Sequence, residues 1–295
     1  MQAKRFETGR PWTMKALRLA AASARRWHTR ALWLPLALVC IGGTAAAKVE
    51  DEVNVEARAS AREGAPSLPF RPGEELVYEI RALGMKAGRA RIQVGTWAER
   101  DGVRSWPVII QARTDSVFDS IYSVRDKFVT WWDPETGRVL GADFWAEERG
   151  KRHRSRSRLD HVAGRAEVVR YKEWNGERTT RHYDIPSGAY DIAGAILALR
   201  QRPLAPGSVE RIHVFTGSKV FELVCEVAGV ETLEVAAGKY RALATRIQLG
   251  FDGNFKAKRD VRVWFTDDER KIPLRMEADF VIGSVVADLA SARGI

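Results

Sequence analysis

Residues that build metal, cofactor or disulfide sites are scarce in this chain. Its 295 residues include two cysteines and five histidines. The histidines form neither H-x-x-x-H nor H-E-x-x-H, so a zinc site is not expected. A G-x-S-x-G elbow, a glycine-rich phosphate loop and a Cys/His pair are also missing. The sequence therefore predicts a protein without cofactor or metal and without enzymatic activity, although scattered carboxylates leave an unrecognised hydrolase open.

A long apolar run occurs close to the N-terminus, after a group of arginines. It spans residues 31–43 and is too short to cross a membrane comfortably. Small residues at 45–47 then form an A-x-A cleavage site. We interpret residues 1–47 as a Sec-type signal peptide cleaved near Ala47–Lys48, which predicts a periplasmic or secreted protein with no membrane span after cleavage. An uncleaved N-terminal anchor is the alternative.

The cysteines exclude an internal disulfide in the mature protein. Cys40 lies in the predicted leader, and Val39 before it does not match the small residue that precedes a lipoprotein cysteine. After cleavage Cys225 alone remains, so no pair can form even in an oxidising compartment. Its apolar neighbours predict a buried, inert thiol.

Charge gives little support to a nucleic-acid-binding protein. The chain has a formal net charge of +10, but the first 47 residues hold eight of its 48 basic and one of its 38 acidic residues. The remainder has 40 basic and 37 acidic residues, a net charge of +3. Such a balance is ordinary for a soluble domain, and no nucleic-acid partner is expected.

Alternating apolar and polar residues extend over most of the chain, as in half-buried antiparallel strands. Residues 261–283 show the pattern best, with two alternating runs around a polar turn and Pro273 at a strand start. Further hairpins are predicted around 133–137 and around the Asn175–Gly176 pair, which is typical of a two-residue type I′ turn. The predicted fold is all-β and mainly antiparallel, a curved sheet or open β-barrel or half-barrel.

One main helix and two shorter segments complete the predicted organisation. Helical spacing and a following proline predict a helix over 189–200, capped by Ser187 and packed on the sheet. A short helix is predicted over 115–122. Residues 48–69 are charged and lack aromatic residues, so they are interpreted as a disordered linker before a single domain at 70–290.

An arginine-rich strand is the first candidate binding site. In the segment KRHRSRSRLD, Arg152, Arg154, Arg156 and Arg158 fall on one face of a predicted strand. Their spacing of about 7 Å could match successive anionic groups on a polymer or phosphorylated head groups. The alternative is a solvated face of ion pairs, with Arg156 facing Glu167 and, across the Asn175–Gly176 turn, Glu173 facing Arg178.

Aromatic residues are the second candidate. Trp132 and Phe144 lie in predicted strands with several other aromatic residues, and in an open barrel they could line an apolar cavity under the helix. The alternative is that these side chains pack in the core.

Several turn and strand signatures resemble a known bacterial family. They are the opening segment FRPGEELVY at 70–78, the Tyr190–Asp191 pair before the helix, the tripeptide at 238–240, and WFTDD followed by IPL at 264–274. They resemble the bacterial proteins grouped as domain of unknown function 3108. The resemblance implies an exported β-rich domain and supplies no functional residue.

These patterns lead to one main functional hypothesis and two alternatives. The main hypothesis is an exported, non-enzymatic protein that binds an amphipathic or anionic envelope component, a lipid or a polysaccharide. The first alternative is a scaffold that joins envelope protein partners through exposed strand edges. The second is the unrecognised hydrolase.

Overall fold

The part of the chain that the structure describes consists of β-strands and one α-helix. The computed structural model describes residues 68–115, 123–148, 151–250, 261–280 and 283–295. The predicted signal peptide, the linker up to residue 67 and the predicted short helix from residue 116 onwards lie outside these ranges. The strands are β1 (Glu75–Ala82), β2 (Met85–Val94), β3 (Ala98–Arg100), β4 (Val103–Thr114), β5 (Arg125–Asp133), β6 (Arg138–Glu148), β7 (Lys151–Asp160), β8 (Arg165–Lys172), β9 (Glu177–Asp184), β10 (Val209–Phe215), β11 (Val220–Val235), β12 (Gly238–Gly250), β13 (Val261–Thr266), β14 (Pro273–Phe280) and β15 (Gly283–Arg293), and the helix α1 is Ile192–Arg200.

The strands form one antiparallel sheet with a single break. Its order is β10-β11-β12-β13-β14-β15-β1-β2-β4-β5-β6-β7-β8-β9, and β3 pairs with β4 beside this path. The first and last strands, β1 and β15, are neighbours. The two edge strands β9 and β10 are consecutive in the chain, and α1 lies in the segment between them. The sheet therefore opens at the place where the chain forms its helix.

The sheet curls around this helix. In the strand order β5 is nine positions from β10, a separation of about 43 Å in a flat sheet. A helix of nine residues is only about 14 Å long, yet α1 contacts both strands. This geometry confirms the predicted curved, open antiparallel sheet with one helix packed on it.

The predicted hairpin at 261–283 forms as expected. Val263 and Phe265 of β13 and Leu274 and Met276 of β14 are buried, and Pro273 is the first residue of β14. The core lies on the inner face in two clusters. The helix contributes Ala195, Ala198 and Leu199 to the larger cluster and Leu197 to the smaller one.

The helix begins later than predicted, at Ile192, with Asp191 rather than Ser187 as its N-cap. Tyr190 is held in extended form because its backbone bridges Val214 of β10. Asp191 then accepts a hydrogen bond from the Gly194 amide at 2.7 Å. Gly194 is needed because a Cβ atom there would lie 2.3 Å from Val139 on β6.

The loop at Asn175–Gly176 is longer than a two-residue turn. Lys172 pairs with Glu177, so residues 173–176 form a four-residue loop closed by a hydrogen bond from the Gly176 amide to the Lys172 carbonyl. Arg178 consequently lies opposite Tyr171, whereas the prediction placed it opposite Glu173. The predicted turn at 133–137 forms, with Asp133 accepting hydrogen bonds from the backbone of the turn.

Other predictions concern single residues and membrane spans. Cys225 is a fully buried free thiol, and burial raises its pKa to about 11, as expected for an inert residue. The last two residues of the predicted linker, 68 and 69, lie within the described ranges, and Leu68 packs against the smaller core cluster. No helix within the described ranges is long and apolar enough to cross a membrane.

A buried ion pair joins the end of α1 to the start of the sheet. Arg200 and Glu74 are 3% and 2% exposed, and two guanidinium nitrogens donate to the two carboxylate oxygens at 2.5 and 2.9 Å. Arg200 also donates to the backbone carbonyls of Pro69 and Arg270. Its guanidinium lies 5.3 Å from the ring centroid of Phe70. One side chain thus connects the helix, the segment before β1 and the β13–β14 loop.

We expect Glu74→Gln to lower the free energy of unfolding by about 3 kcal/mol, because it leaves the buried Arg200 charge without a counter-ion. Glu75→Gln is the matched control, since Glu75 pairs with the exposed Arg91 and Arg293, and it should cost less than about 1 kcal/mol. Urea unfolding measures both. Equal losses in the two variants would contradict the role of the pair.

Asp191 should make stability depend on pH. It is buried, accepts a hydrogen bond from Thr130, and burial raises its pKa to about 6. Because the folded protein holds this proton more tightly than the unfolded chain, the contribution is fully present below about pH 4 and is lost as pH rises through 6, by about 3 kcal/mol in all.

Asp191→Asn keeps the capping oxygen and removes the titration, so we expect its stability to fall less than that of the wild type between about pH 4 and pH 7. Urea unfolding at several pH values measures this difference. The expectation fails if both proteins lose the same amount over that range.

Candidate functional site

The predicted arginine strand is β7, and its four arginines share one face as predicted, but the strand lies between β6 and β8 and not at an edge of the sheet. Arg152, Arg154, Arg156 and Arg158 are all exposed on the outer face. On the inner face Ser157 and Leu159 are buried, and His153 is half-buried. The alternation places the guanidinium groups toward solvent, since none could enter the core without a partner.

Three of these arginines form ion pairs. Arg152 binds Glu147 and Arg154 binds Glu173, each at 2.9 Å. Arg156 binds Asp101 at 2.6 Å. The three side chains nevertheless remain 44%, 53% and 55% exposed, so each retains donors that face solvent.

The predicted partner of Arg156 was wrong. Register places Glu167 opposite Arg158, and Val169 opposite Arg156. The loop between β7 and β8 spans residues 161–164, which shifts the pairing by two residues from the predicted one. The outer face therefore combines ion pairs with solvent-facing guanidinium groups.

Arg154 belongs to a row of alternating cations and aromatic rings that crosses five strands. We call it the cation–aromatic row. Successive members are direct register partners on neighbouring strands β5 to β9. The members are Lys127, Trp145, Arg154, Tyr171 and Arg178.

Contacts along the row hold cations against rings. The Lys127 ammonium lies 5.2 Å from the ring centroid of Trp145, and the Arg154 guanidinium lies 5.6 Å from that of Tyr171. These distances are within the range of cation–π attraction. Trp145 is 37% exposed, and Tyr171 is half-buried. Within the described part of the chain, the terminal cations Lys127 and Arg178 form no ion pair.

The β3–β4 hairpin lies over the sheet on one side of this row. Arg100 is 4% exposed and donates to the Asp143 carboxylate at 3.0 Å and to the Ser157 carbonyl at 2.7 Å. Trp131 donates its indole N–H to the same Asp143 carboxylate. Burial lowers the pKa of Arg100, opposed mainly by the charge of Asp143. The neighbouring Asp101 reaches Arg156, so the hairpin covers the strand positions beside the row.

The two predicted aromatic site residues occupy different surroundings on the inner face. Trp132 is fully buried, with Tyr190 stacked on it at 6.0 Å and Phe70 edge-on at 5.5 Å between ring centroids. Phe144 is half-buried and contacts Phe128 and His153. Trp132 is thus enclosed by core side chains, and a ligand-binding role for either residue stays a prediction.

His153 contacts Phe144 on the inner face and feels the charge of Arg170. Burial and then the charge of Arg170 lower its pKa, so it is neutral at pH 7. Arg170 itself donates to the Gly217 carbonyl at 2.8 Å. Among the described residues no group of three or more His, Cys, Asp or Glu side chains could hold a metal ion.

Sequence reasoning missed three members of the row, Lys127, Tyr171 and Arg178, as site residues, and considered Trp145 only among the aromatic residues of an inner cavity. Each lies in a strand whose alternation of buried and exposed residues can be read from the sequence, so the outward direction of its side chain was predictable. Their meeting depends on register across four strand pairs, and a shift of two residues in one loop would separate them.

Comparison with solved structures finds several that are similar to this chain. A beta-barrel-like protein of domain of unknown function DUF1849 from Brucella abortus has a TM-score of 0.50 at 13% identity, covering 74% of this chain and 96% of that chain. A Bacteroides fragilis protein described as exported with a YmcC-like fold has a TM-score of 0.31 at 9% identity, covering 77% and 98%. A Parabacteroides distasonis protein described as a lipoprotein has a TM-score of 0.28 at 10% identity, covering 77% and 97%.

The first of these similarities concerns the fold alone and agrees with the open, curled sheet. Comparison with curated protein sequences finds no match. The family model described as "Protein of unknown function (DUF3108)" matches residues 77–290, from the third residue of β1 to within β15. The chain therefore belongs to the DUF3108 family, as its turn and strand signatures indicated.

Proposed function

We propose that this protein is an exported, non-enzymatic component of the cell envelope that binds an anionic or amphipathic envelope molecule, a lipid or a polysaccharide. The observation that carries the proposal is the outer face of β5 to β9. There the cation–aromatic row presents Arg154 at 53% exposure, and Lys127 and Arg178, which have no ion-pair partner among the described residues. Export is supported by the apolar leader and its A-x-A site.

Electrostatics and aromatic surface favour binding at this face. Exposed guanidinium groups donate to carboxylate or phosphate oxygens with two parallel N–H groups, which gives both affinity and orientation. Exposed aromatic rings add apolar area that is freed from water on binding. A ligand with anionic groups along an extended or amphipathic body fits both properties.

The non-enzymatic part of the proposal rests on how two of the three acids buried in the described part of the chain are used, the third being Asp126. Glu74 is paired with Arg200, and Asp191 caps α1 and binds Thr130. Both carboxylates thus serve the fold, whereas a hydrolase would need two that converge in a cleft.

Neutralising the two terminal cations of the row should weaken ligand binding. We expect Lys127→Gln with Arg178→Gln to reduce affinity about tenfold, which corresponds to about 1.4 kcal/mol for two charge-assisted contacts. The probes are phosphatidylglycerol vesicles, measured by co-sedimentation, and a fluorescent oligogalacturonate, measured by anisotropy. Both are used at about 50 mM NaCl, where screening is weak.

The matched control removes the same charge elsewhere. Arg211→Gln with Arg241→Gln changes exposed arginines of β10 and β12, far from the row in the strand order, and should leave affinity unchanged. The proposal is overturned if neither probe binds, or if the control variant loses as much affinity as the row variant.

A scaffold is the second candidate, favoured by the shape of β9. This edge strand has six exposed residues out of eight and pairs with β8 alone among the described strands. Such an edge can accept a strand from another protein. A photo-cross-linker at His182 that traps one defined protein partner, in a chain that binds neither anionic probe, would favour the scaffold.

A further inference from the structure

The cation–aromatic row runs across the strands and not along one of them. Four strand spacings separate Lys127 from Arg178, a distance of about 19 Å. Cations occupy the first, third and fifth positions, and rings occupy the second and fourth. Like groups therefore repeat about every 9.6 Å. This regular alternation would suit a chain molecule whose apolar and anionic groups also alternate.

Ion pairs flank the row on both sides. On one side the neighbouring outer positions are Glu147 and Arg152, which pair with each other. On the other side the Asp101–Arg156 pair connects the β3–β4 hairpin to the sheet. Val169, the register partner of Arg156, is half-buried, so an acyl chain would find little exposed apolar surface beside the two rings. A sugar chain has hydroxyl groups to offer these polar neighbours and flat C–H faces to offer the rings.

We propose that the row binds an anionic polysaccharide laid across β5 to β9, with its sugar rings on Trp145 and Tyr171 and its carboxylate or phosphate groups on the three cations. This inference rests on the function proposed above, because it concerns the same face. It goes further by naming the ligand class and by giving the rings a role as large as that of the charges. The cations held against the rings also limit the freedom of both side chains before binding, which lowers the entropic cost of association.

The test compares anionic chains with and without sugar rings, using the full-length protein. A fluorescent oligogalacturonate carries both carboxylates and sugar rings, whereas inorganic polyphosphate of matched charge has no rings. We expect the oligogalacturonate to bind about tenfold more tightly than polyphosphate, because stacking on the exposed Trp145 ring and the half-buried Tyr171 ring adds to the charge contacts.

Ring deletion gives the second arm of the test. Trp145→Thr and Tyr171→Thr should each weaken oligogalacturonate binding about tenfold and change polyphosphate binding less than about twofold. Trp145→Phe keeps a ring and should restore most of the affinity, which separates loss of stacking from loss of folding. Trp174→Thr is the matched control, since Trp174 is 44% exposed and contacts Lys172 outside the row. It should leave both affinities unchanged.

The outcomes separate this inference from the function on which it rests. Equal binding of both chains with no effect of Trp145→Thr would show that the face binds by charge alone, so the inference fails and the proposed function stands. Tighter binding of phosphatidylglycerol vesicles or of a single-stranded oligothymidylate would also overturn it, in favour of a lipid or a nucleic acid. If no anionic probe binds, both proposals fail.

Discussion

The buried contact between Arg200 and Glu74 is the constraint on which the arrangement of helix and sheet depends. Two charges removed from water are tolerated only when they are paired and hydrogen-bonded, and the guanidinium group finds its acceptors on two separate segments, the one before β1 and the β13–β14 loop. The end of α1 is therefore held at one place relative to β1 and the β13–β14 loop. Because α1 occupies the break between β9 and β10, this contact also determines how the open sheet closes around its core.

At the other end of α1, Tyr190 and Asp191 fix the start of the helix relative to the sheet. The Tyr190 backbone pairs with β10 while its ring stacks on Trp132 of β5, so one residue contacts strands nine positions apart in the sheet. Asp191 starts the helix and binds Thr130 on the same β5 strand. The Tyr–Asp pair before the helix is one of the features that indicated the family resemblance, and both of its residues contact the sheet.

The outer face of β5 to β9 has a different physical character from the core because it is not required to exclude water. Arginines that could not be buried without partners are placed outward by strict alternation in β7, and they meet carboxylates from β6, from the β8–β9 loop and from the β3–β4 hairpin. This leaves a regular row of cations and rings on a surface held rigid by backbone hydrogen bonds. A preformed surface of this kind costs little conformational entropy on binding, which is why the proposed function is assigned to it and not to a mobile loop.

Alternation of side chains along each strand is a local property, so the sequence by itself determined the all-β class, the hairpin at 261–283, the position of the main helix and the outward direction of the β7 arginines. Register and loop length are set by distant contacts, and only the tertiary structure decided them. The four-residue loop after Lys172 moved Arg178 opposite Tyr171, and the pairing of Tyr190 with β10 delayed the helix to Ile192. The cation–aromatic row exists only after five strands are aligned, because its members are separated by up to 51 positions and no local pattern connects them.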